Sequence, residues 1–319
     1  MIKSIKYLLG LTFLFACSFL YGQRSNFNSQ DNWSLNKREI IFGFGGTQFL
    51  GDLGGKDQIG RDYSLADLDL PSTSLGGMIG YRYRFHQYFA TTTSFNIGLL
   101  KGDDALTNEI IRESRNLHFR SIIIDLSQRL EVIVLAHEKV GSRYNLSGHR
   151  KRAKNHNKQM YLFGGVGIAY FNPKAKYNDE WVALRPLKTE GQGLPGGAEK
   201  NSPVSLIIPM GIGVRWGLSQ LWRMGLEATY TMTFSDYVDD VHDIYYDRDL
   251  LAAQVGVEAA YLSNPSVQNS TWFAAGQQRG DKDENDAYFY LNLTFIRNVT
   301  YKDYSKQRKM HRWKGRYKF

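Results

Sequence analysis

An acidic stretch of the sequence has residue types that could bind a metal ion. The segment SDYVDDVHDIYYDRD, residues 235–249, contains six aspartates, among them Asp236, Asp239 and Asp240. Carboxylate oxygens at this density are ligands that Ca²⁺ accepts. The spacing lacks the glycine and the terminal glutamate of a calcium-binding loop, so the segment also fits a solvated surface loop. We therefore predict no metal site, and calcium binding by this loop stays an open alternative.

A histidine and a serine could form a hydrolytic pair. Catalysis requires a nucleophile, a base and an orienting group within reach of one another. His118 is close to Ser121 in the sequence, and Glu109 and Glu113 precede both. Such a pair could hydrolyse a lipid such as lipid A, but no motif singles it out. The sequence also has no phosphate-cradling loop and no dinucleotide fingerprint. We predict no catalytic residues and no cofactor.

Two basic segments dominate the charge distribution. Residues 136–159 carry seven Lys or Arg against Glu138, and residues 302–319 carry eight against Asp303. Such segments could dock an acidic protein partner, because charge sets the rate and orientation of encounter. They also fit a solvated chain or attraction to anionic lipid headgroups. The predicted docking residues are Arg150, Lys151, Arg152, Lys154, Lys306, Arg308, Lys309, Arg312, Trp313, Lys314 and Arg316.

The elements that position these groups are predicted to be β-strands. Eight segments alternate between apolar or aromatic residues and small, polar or charged ones, which is the period-two pattern of a strand. Each has about 10 residues or more, the length of a tilted strand that crosses a membrane. The segments are residues 39–50, 74–85, 88–99, 121–132, 160–171, 205–216, 222–234 and 287–295.

The polar faces of these strands favour a membrane barrel over a soluble β-sandwich. A sandwich would show the same alternation, but its polar faces would meet water. Here those faces are rich in Gly and Thr and poor in Lys, and aromatic residues cluster near the strand ends. Lipid cannot satisfy the edge of an open sheet, so the sheet must close. We predict an all-β fold: an eight-stranded antiparallel transmembrane β-barrel of the outer-membrane type.

The inward faces of the predicted strands carry charges of both signs. An eight-stranded barrel has a narrow interior that side chains fill, and an unpaired buried charge is costly. We therefore predict an ion-pair network that plugs the lumen and leaves no open pore. Its predicted members are Arg82, Arg84, Asp125, Arg129, Glu131, Arg215, Arg223 and Glu227.

The beginning of the sequence has the pattern of an export signal. Lys3 and Lys6 precede a short apolar run, and small residues follow. This predicts a signal peptide over residues 1–22; a retained anchor or a lipid on Cys17 are the alternatives. Cys17 is the only cysteine, so the mature chain would contain no disulfide. The predicted organisation continues with a lead-in over 23–38, the barrel over 39–301 and a basic tail over 302–319.

The lengths of the connections predict how the barrel is oriented. Barrels of this class have short periplasmic turns and long extracellular loops. The long loops would be residues 52–72, 102–116, 172–203 and 236–285. Both termini and both basic segments would then be periplasmic, where nucleic acid is not an expected partner.

The segment EIIFGFGGTQFLGDLGG, residues 39–55, resembles the first strand and loop of the PorG-like family of Bacteroidota outer-membrane barrels. Residues 205–218, 225–241, 278–281 and 286–295 resemble further parts of the family in the same order. The motif residues that match best are Gly51, Asp52, Leu53, Asp236, Asp239 and Asp240. The resemblance implies an outer-membrane protein that associates with the periplasmic ring of the type IX secretion machinery, and it implies no catalytic residues. Family chains are usually shorter and lack the two basic segments.

We therefore expect a non-enzymatic outer-membrane component of a cell-envelope assembly, which docks periplasmic parts of the type IX secretion and gliding machinery. One alternative is a stand-alone structural barrel whose extracellular loops bind surface ligands. The other is an enzyme that modifies lipid A through His118.

Overall fold

The structure, a computed structural model, describes the barrel and most of its connections. The described residues are Trp33, 37–51, 53, 72–106, 110–137, 158–218, 221–266, 271–282 and 285–299. The predicted signal peptide, Asp52 and every predicted docking residue from Arg150 to Arg316 lie outside these residues.

Eight long strands form the wall of the molecule, and a short ninth strand extends one of them. They are β1 (Arg38–Leu50), β2 (Ser74–Arg84), β3 (Phe89–Asp103), β4 (His118–His137), β5 (Lys158–Tyr177), β6 (Glu180–Ala183), β7 (Val204–Gly217), β8 (Trp222–Thr233) and β9 (Ala287–Asn298). Alternation of apolar and small or polar residues produces these strands, and each of the eight predicted segments falls on one of them.

The long strands close into a barrel. Each pairs antiparallel with the next long strand along the chain, and β6 pairs with the end of β5. The first and last strands then pair with each other, from Glu39 opposite Asn298 to Leu50 opposite Ala287. Closure leaves no open edge with unpaired backbone groups, as hydrocarbon requires. The predicted eight-stranded antiparallel barrel is confirmed.

The faces of the barrel wall are inverted relative to a soluble protein. On β2, Leu75 is 82% exposed and Ile79 is 57% exposed, whereas Arg82 is fully buried. The same alternation surrounds the barrel with apolar side chains, interrupted by a polar patch of Thr91, Thr93 and Gln128 that hydrogen-bond to one another. A mainly apolar exterior around a charged interior is the arrangement of a barrel that sits in lipid.

The two ends of the barrel differ in their connections. At the turn end, residues 85–88 join β2 to β3 and residues 218–221 join β7 to β8. β1 also begins there, β9 ends there, and β4 and β5 open toward residues 138–157. The opposite loop end carries longer connections. There β5 runs past the barrel and turns back through β6, so the strand is longer than the sequence pattern predicted.

The long connections fold over the loop end as a compact cap. We call the described residues of 51–73, 104–117, 178–203 and 234–286 the loop cap; it contains helices α1 (Ile110–Arg115), α2 (Arg248–Gln254) and α3 (Val257–Ser263). Asp247 begins α2 by accepting hydrogen bonds from two backbone amides of its first turn. Within the described residues, no helix is long and apolar enough to cross a membrane.

One apolar core joins the loop cap to the upper half of the lumen. The core includes Phe119 and Phe171 from the strands together with Val238 and Leu262 from the cap. Since the same core spans both parts, packing fixes the cap on the barrel mouth.

Candidate functional site

The lower half of the lumen contains a network of arginines and glutamates from five strands. Two glutamates form its centre. Glu131 on β4 accepts hydrogen bonds from Arg82 at 2.6 Å and from Arg215 at 2.7 Å. Glu39 on β1 accepts from Arg82 at 2.7 Å, and its second oxygen lies 3.2 Å from Arg223. The strands hold these side chains at one level, so each arginine meets carboxylates from other strands.

A second pair extends the network on one side. Arg129 donates to Glu227 at 2.7 Å, and the Tyr161 hydroxyl donates to the other oxygen of Glu227 at 2.6 Å. The Arg215 guanidinium lies 3.7 Å from the centre of the Tyr161 ring, which is a cation–π distance. We call Glu39, Arg82, Arg129, Glu131, Arg215, Arg223 and Glu227 the floor network.

The floor network seals the lumen. Each of its members is at most 2% exposed, although all of them project into the lumen, where a channel would run. Water that filled a pore at this level would contact these side chains. The described part of the barrel is therefore closed by ion pairs at the level of the floor network.

Two residues predicted for the ion-pair network have other surroundings. Asp125 is buried in the lumen, but it accepts hydrogen bonds from the Asn96 amide at 2.6 Å and the Tyr288 hydroxyl at 3.1 Å. It lies nearer the loop end, so its described hydrogen-bond donors are neutral groups instead of arginines. Arg84 lies at the turn end, where its guanidinium donates to the Gln87 carbonyl oxygen and lies 5.9 Å from the Trp33 ring.

Sequence reasoning missed two members of the site. Glu39 is the second residue of β1. Tyr161 is the second inward-facing residue of β5, after Gln159. Both lie on the small-residue face of the period-two pattern, since Glu39 is an even number of positions from Gly43 on β1 and Tyr161 is an even number from Gly165 on β5. Strict use of that parity to the strand ends would have found them.

A second charged cluster holds the loop cap together around Arg279. The Arg279 guanidinium donates to Glu190 at 2.8 Å, to the Asp240 carbonyl oxygen at 2.6 Å and to the Ser263 carbonyl oxygen at 3.2 Å. Arg279 is the first residue of an Arg-Gly-Asp triplet, which is a motif too short to predict function. Since Arg279 is 3% exposed, it has a structural role and is not displayed to solvent.

A bidentate ion pair fixes the smaller loop beside this cluster. Arg115 at the end of α1 donates to both oxygens of Asp104, at 2.7 and 2.9 Å. It also donates to the carbonyl oxygen of Arg279 at 2.8 Å, so the two cap arginines are joined through the backbone. The four cap residues Asp104, Arg115, Glu190 and Arg279 were not predicted, because no periodic pattern links residues in separate loops.

The residues that resemble the PorG-like motifs meet inside the loop cap. Asp239 accepts a hydrogen bond from the Leu53 backbone amide at 3.2 Å, which joins the two best-matched motifs. A Cβ at Gly51 would lie 2.2 Å from an Asp286 side-chain oxygen and 2.5 Å from the Phe49 ring, so any larger residue would displace these side chains. Asp236 bonds to the His242 ring at 2.7 Å. The predicted motif residues within the described part of the chain are therefore structural parts of the cap.

The acidic stretch does not form a metal site within the described residues, where no group of three or more His, Cys, Asp or Glu could hold an ion. Its aspartates accept hydrogen bonds from the chain instead. Asp240 is buried at a positive φ of 69°, and the Thr189 hydroxyl donates to it. Burial raises the pKa of Asp240 to about 7, against the opposing effects of the Arg279 cation and the Thr189 hydrogen bond.

The hydrolytic pair considered as an alternative does not assemble. His118 and Ser121 are separated by an odd number of positions on β4, so their side chains lie on opposite faces of the wall. The His118 ring accepts a hydrogen bond from the Lys176 backbone amide at 2.9 Å, and Ser121 accepts one from the Asn172 amide at 3.1 Å. This geometry provides no base for the serine.

Comparison with known proteins returns similar barrels and no relative in sequence. No protein-family model and no curated protein matches the sequence. Neisserial surface protein A is similar in structure, with 5% identity and a TM-score of 0.35 over 82% of this chain and 97% of that one. Ail, the attachment invasion locus protein of Yersinia pestis, has 10% identity and a TM-score of 0.33 over 82% and 97%. The N-terminal barrel domain of Pseudomonas aeruginosa OprF has 9% identity and a TM-score of 0.29 over 82% and 98%.

Proposed function

We propose that this chain is a non-enzymatic outer-membrane barrel that anchors a cell-envelope assembly and docks its periplasmic parts. The observation that carries the proposal is the sealed lumen. A barrel whose interior is closed by buried ion pairs is suited to holding a position in the membrane, and its use must lie in the surfaces at its two ends.

The charge distribution supports docking at the turn end. Residues 138–157 contain six Lys or Arg against Glu138, and residues 302–319 contain eight against Asp303, so together they exceed the net charge of +9 of the whole chain. The strands that lead into them, β4, β5 and β9, all open at the turn end. Two basic segments that follow strand ends on the same side of the barrel could bind one acidic partner. A periplasmic turn end agrees with the usual orientation of such barrels.

The resemblance to the PorG-like family suggests the partner. Its motif residues Gly51, Leu53, Asp236, Asp239 and Asp240 are grouped in the loop cap, at the opposite end of the barrel from the strand ends that lead toward the basic segments. We propose that the partner is a periplasmic component of type IX secretion or gliding machinery, and that the basic segments are this chain's own addition.

Exchange of the tail tests the docking role. Residues 302–319 would be replaced by an uncharged sequence of the same length, with a shuffled tail of unchanged composition as the matched control. We expect the uncharged tail to leave the barrel inserted and heat-modifiable on a gel while abolishing co-purification of periplasmic proteins. Equal co-purification by the uncharged tail would reject docking by this segment.

A second candidate function is binding of a surface ligand by the loop cap. It is favoured by apolar side chains that the cap exposes, of which Val257 is 72% exposed and Ile110 is 69% exposed. Exposed apolar residues at a cap of this kind can mark a contact with another molecule. Substitution of both by Ser, with the tail intact, would change surface binding under this hypothesis and leave co-purification of periplasmic proteins unchanged.

A further inference from the structure

Three basic residues stand side by side on the outer wall of the barrel. In the strand register, Lys101 on β3 lies opposite Arg120 on β4, and Arg120 lies opposite Lys174 on β5. All three have the parity of the outward faces, as do Leu99 and Ile122 in the next row. We call Lys101, Arg120 and Lys174 the basic row.

The basic row lies at the upper boundary of the apolar belt. The outward rows below it consist of Leu99 and Ile97 on β3, Ile122 and Ile124 on β4, and Asn172 and Tyr170 on β5. The row above it belongs to the loop end. A charged side chain one row above the belt is at the depth of lipid headgroups.

None of the three cations pairs with a carboxylate among the described residues. The salt bridges among the described residues include none of them, and the neighbouring acid on the same face, Asp103, accepts a hydrogen bond from the Ala105 amide. Like charges directly opposite each other on paired strands repel and destabilise the sheet. A row of three is therefore a place where an anion from the surroundings would be bound favourably.

An aromatic side chain orients the middle cation. The Arg120 guanidinium lies 3.9 Å from the centre of the Trp181 ring, which β6 brings over the wall. The His118 ring meets the same indole edge-on at 6.3 Å. Stacking leaves the edge of the guanidinium available to an acceptor with phosphate geometry, because arginine presents paired N–H groups in one plane. Lys176 nearby already pairs with Asp179 at 2.6 Å and does not belong to the row.

The row is confined to one side of the barrel. At the loop end, the other long strands present outward Leu50 on β1, Leu75 on β2, Leu206 on β7, Met232 on β8 and Phe289 on β9. A general requirement for headgroup contact would distribute cations around the whole mouth, whereas this clustering indicates one site.

We propose that Lys101, Arg120, Lys174 and Trp181 bind the phosphate group of an anionic lipid in the leaflet at the loop end. The identity of the lipid rests on the proposed function, in which the turn end is periplasmic. The leaflet at the loop end is then the outer one, and the lipid is a phosphorylated glycolipid of the lipid A class. Bound lipid would fix the barrel's depth and give it a preferred lipid neighbour on the β3–β5 side.

Lipid retention in detergent tests this site. The full-length protein, folded in an uncharged detergent, is titrated with bisphosphorylated lipid A, and bound lipid is counted by native mass spectrometry. The site variant is Lys101→Gln, Arg120→Gln, Lys174→Gln; the charge-matched control is Lys200→Gln, Arg248→Gln, Lys282→Gln, three exposed positions of the loop cap. Heat-modifiable migration checks that each variant is folded, and Arg120→Gln alone replaces the triple variant if that one does not fold.

We expect the triple site variant to weaken lipid A binding by roughly 100-fold, because three cations that attract the phosphates are lost, and the control to bind like the unchanged protein. Dephosphorylated lipid A should bind weakly to all variants. Equal binding by site variant and control, equal binding of dephosphorylated lipid, or displacement by inorganic phosphate at matched concentration would each overturn the proposal. The tail exchange measures co-purification of periplasmic proteins and does not depend on lipid binding. Failure of the lipid proposal therefore leaves the docking proposal unaffected.

Discussion

The floor network and the loop cap solve the same problem, buried arginine, in different ways. In the floor network, Arg82 and Arg215 meet carboxylates that other strands hold at the same level. In the loop cap, Arg279 donates to one carboxylate and to two backbone carbonyl oxygens. Loops lack the backbone hydrogen bonds that neighbouring strands exchange. In the loop cap, the Arg279 guanidinium therefore donates to carbonyl oxygens that a neighbouring strand would otherwise pair.

This difference separates two roles. The floor network decides whether anything can pass through the barrel, whereas the cap arginines decide the shape that the loops present. The strand ladder fixes the backbone around the floor network, and the side chains fix the backbone of the cap. Changes in the floor network should therefore alter the stability of the barrel, and changes in the cap should alter the loops alone.

The largest effect is expected at the centre of the floor network. Glu131→Gln removes the charge that both Arg82 and Arg215 contact, and it leaves excess positive charge in a closed interior. Loss of one partner of a buried ion pair costs about 3–5 kcal/mol. Urea unfolding in detergent micelles should show this loss. Glu180→Gln, at an exposed carboxylate, is the control and should not shift the midpoint; an equal shift in both would mean that burial of the pair is unimportant.

The next effect is expected in the loop cap. Arg279→Gln removes the ion pair with Glu190, which keeps its bond from the His242 amide at 2.8 Å. We expect local opening to become easier by about 2–3 kcal/mol, so that proteolysis of the loops accelerates roughly 30-fold or more. The heat-modifiable shift of the barrel should be unchanged. Lys282→Gln is the neighbouring control, and loss of barrel stability in Arg279→Gln would contradict the separation of roles.

The pH dependence of the cap should be a smaller effect. The pKa of Asp240 is about 7 in the folded protein against an ordinary value of 3.8. The folded state therefore binds the proton more tightly, and cap stability is highest at low pH and is lost as the pH rises toward about 7. We expect a loss of roughly 2 kcal/mol between pH 5 and pH 8, seen as faster hydrogen exchange in the cap.

Asp240→Asn is the matched variant for this dependence. Asparagine tolerates the positive φ of 69° and keeps an acceptor for Thr189, yet it cannot ionise. Its hydrogen exchange in the cap should change little over the same pH range. A slope equal to that of the unchanged protein would assign the effect to another group.

The smallest effect is expected from one hydroxyl that donates to the floor network. Tyr161→Phe removes the donor to Glu227 and keeps the ring beside Arg215. One hydrogen bond to a charged group contributes about 1 kcal/mol or somewhat more. The urea midpoint should fall slightly, while Tyr161→Leu, which also removes the cation–π contact, should lower it further. If the two variants behave alike, the ring does not stabilise Arg215.

The sequence located most of the floor network but not its pairing. Arg82, Arg129, Arg215, Arg223, Glu131 and Glu227 are inward because side chains alternate along a strand, and each lies inside the lumen. Which charge meets which depends on the relative level of the strands. The strand register places Asp125 nearer the loop end than the arginines, and it places Glu39 at the height of the arginines.

The loop cap could not be predicted from the sequence in the same way. Arg279 and Glu190 are 89 positions apart, in two loops without periodicity, and only the folded chain brings them together. The acidic stretch around Asp239 fits a solvated loop in the sequence, and its aspartates are instead acceptors for buried donors.

The sequence by itself determined that this chain forms a closed barrel, because period-two alternation and the requirement to pair every backbone group leave few other arrangements for a chain in lipid. The sequence also predicted that charged side chains plug the lumen. The tertiary structure alone decided which of these charges pair, that the loops form a cap around Arg279, and that three cations stand in a row beside Trp181. These features depend on register between strands and on contacts between distant loops, and both are set by packing of the whole chain.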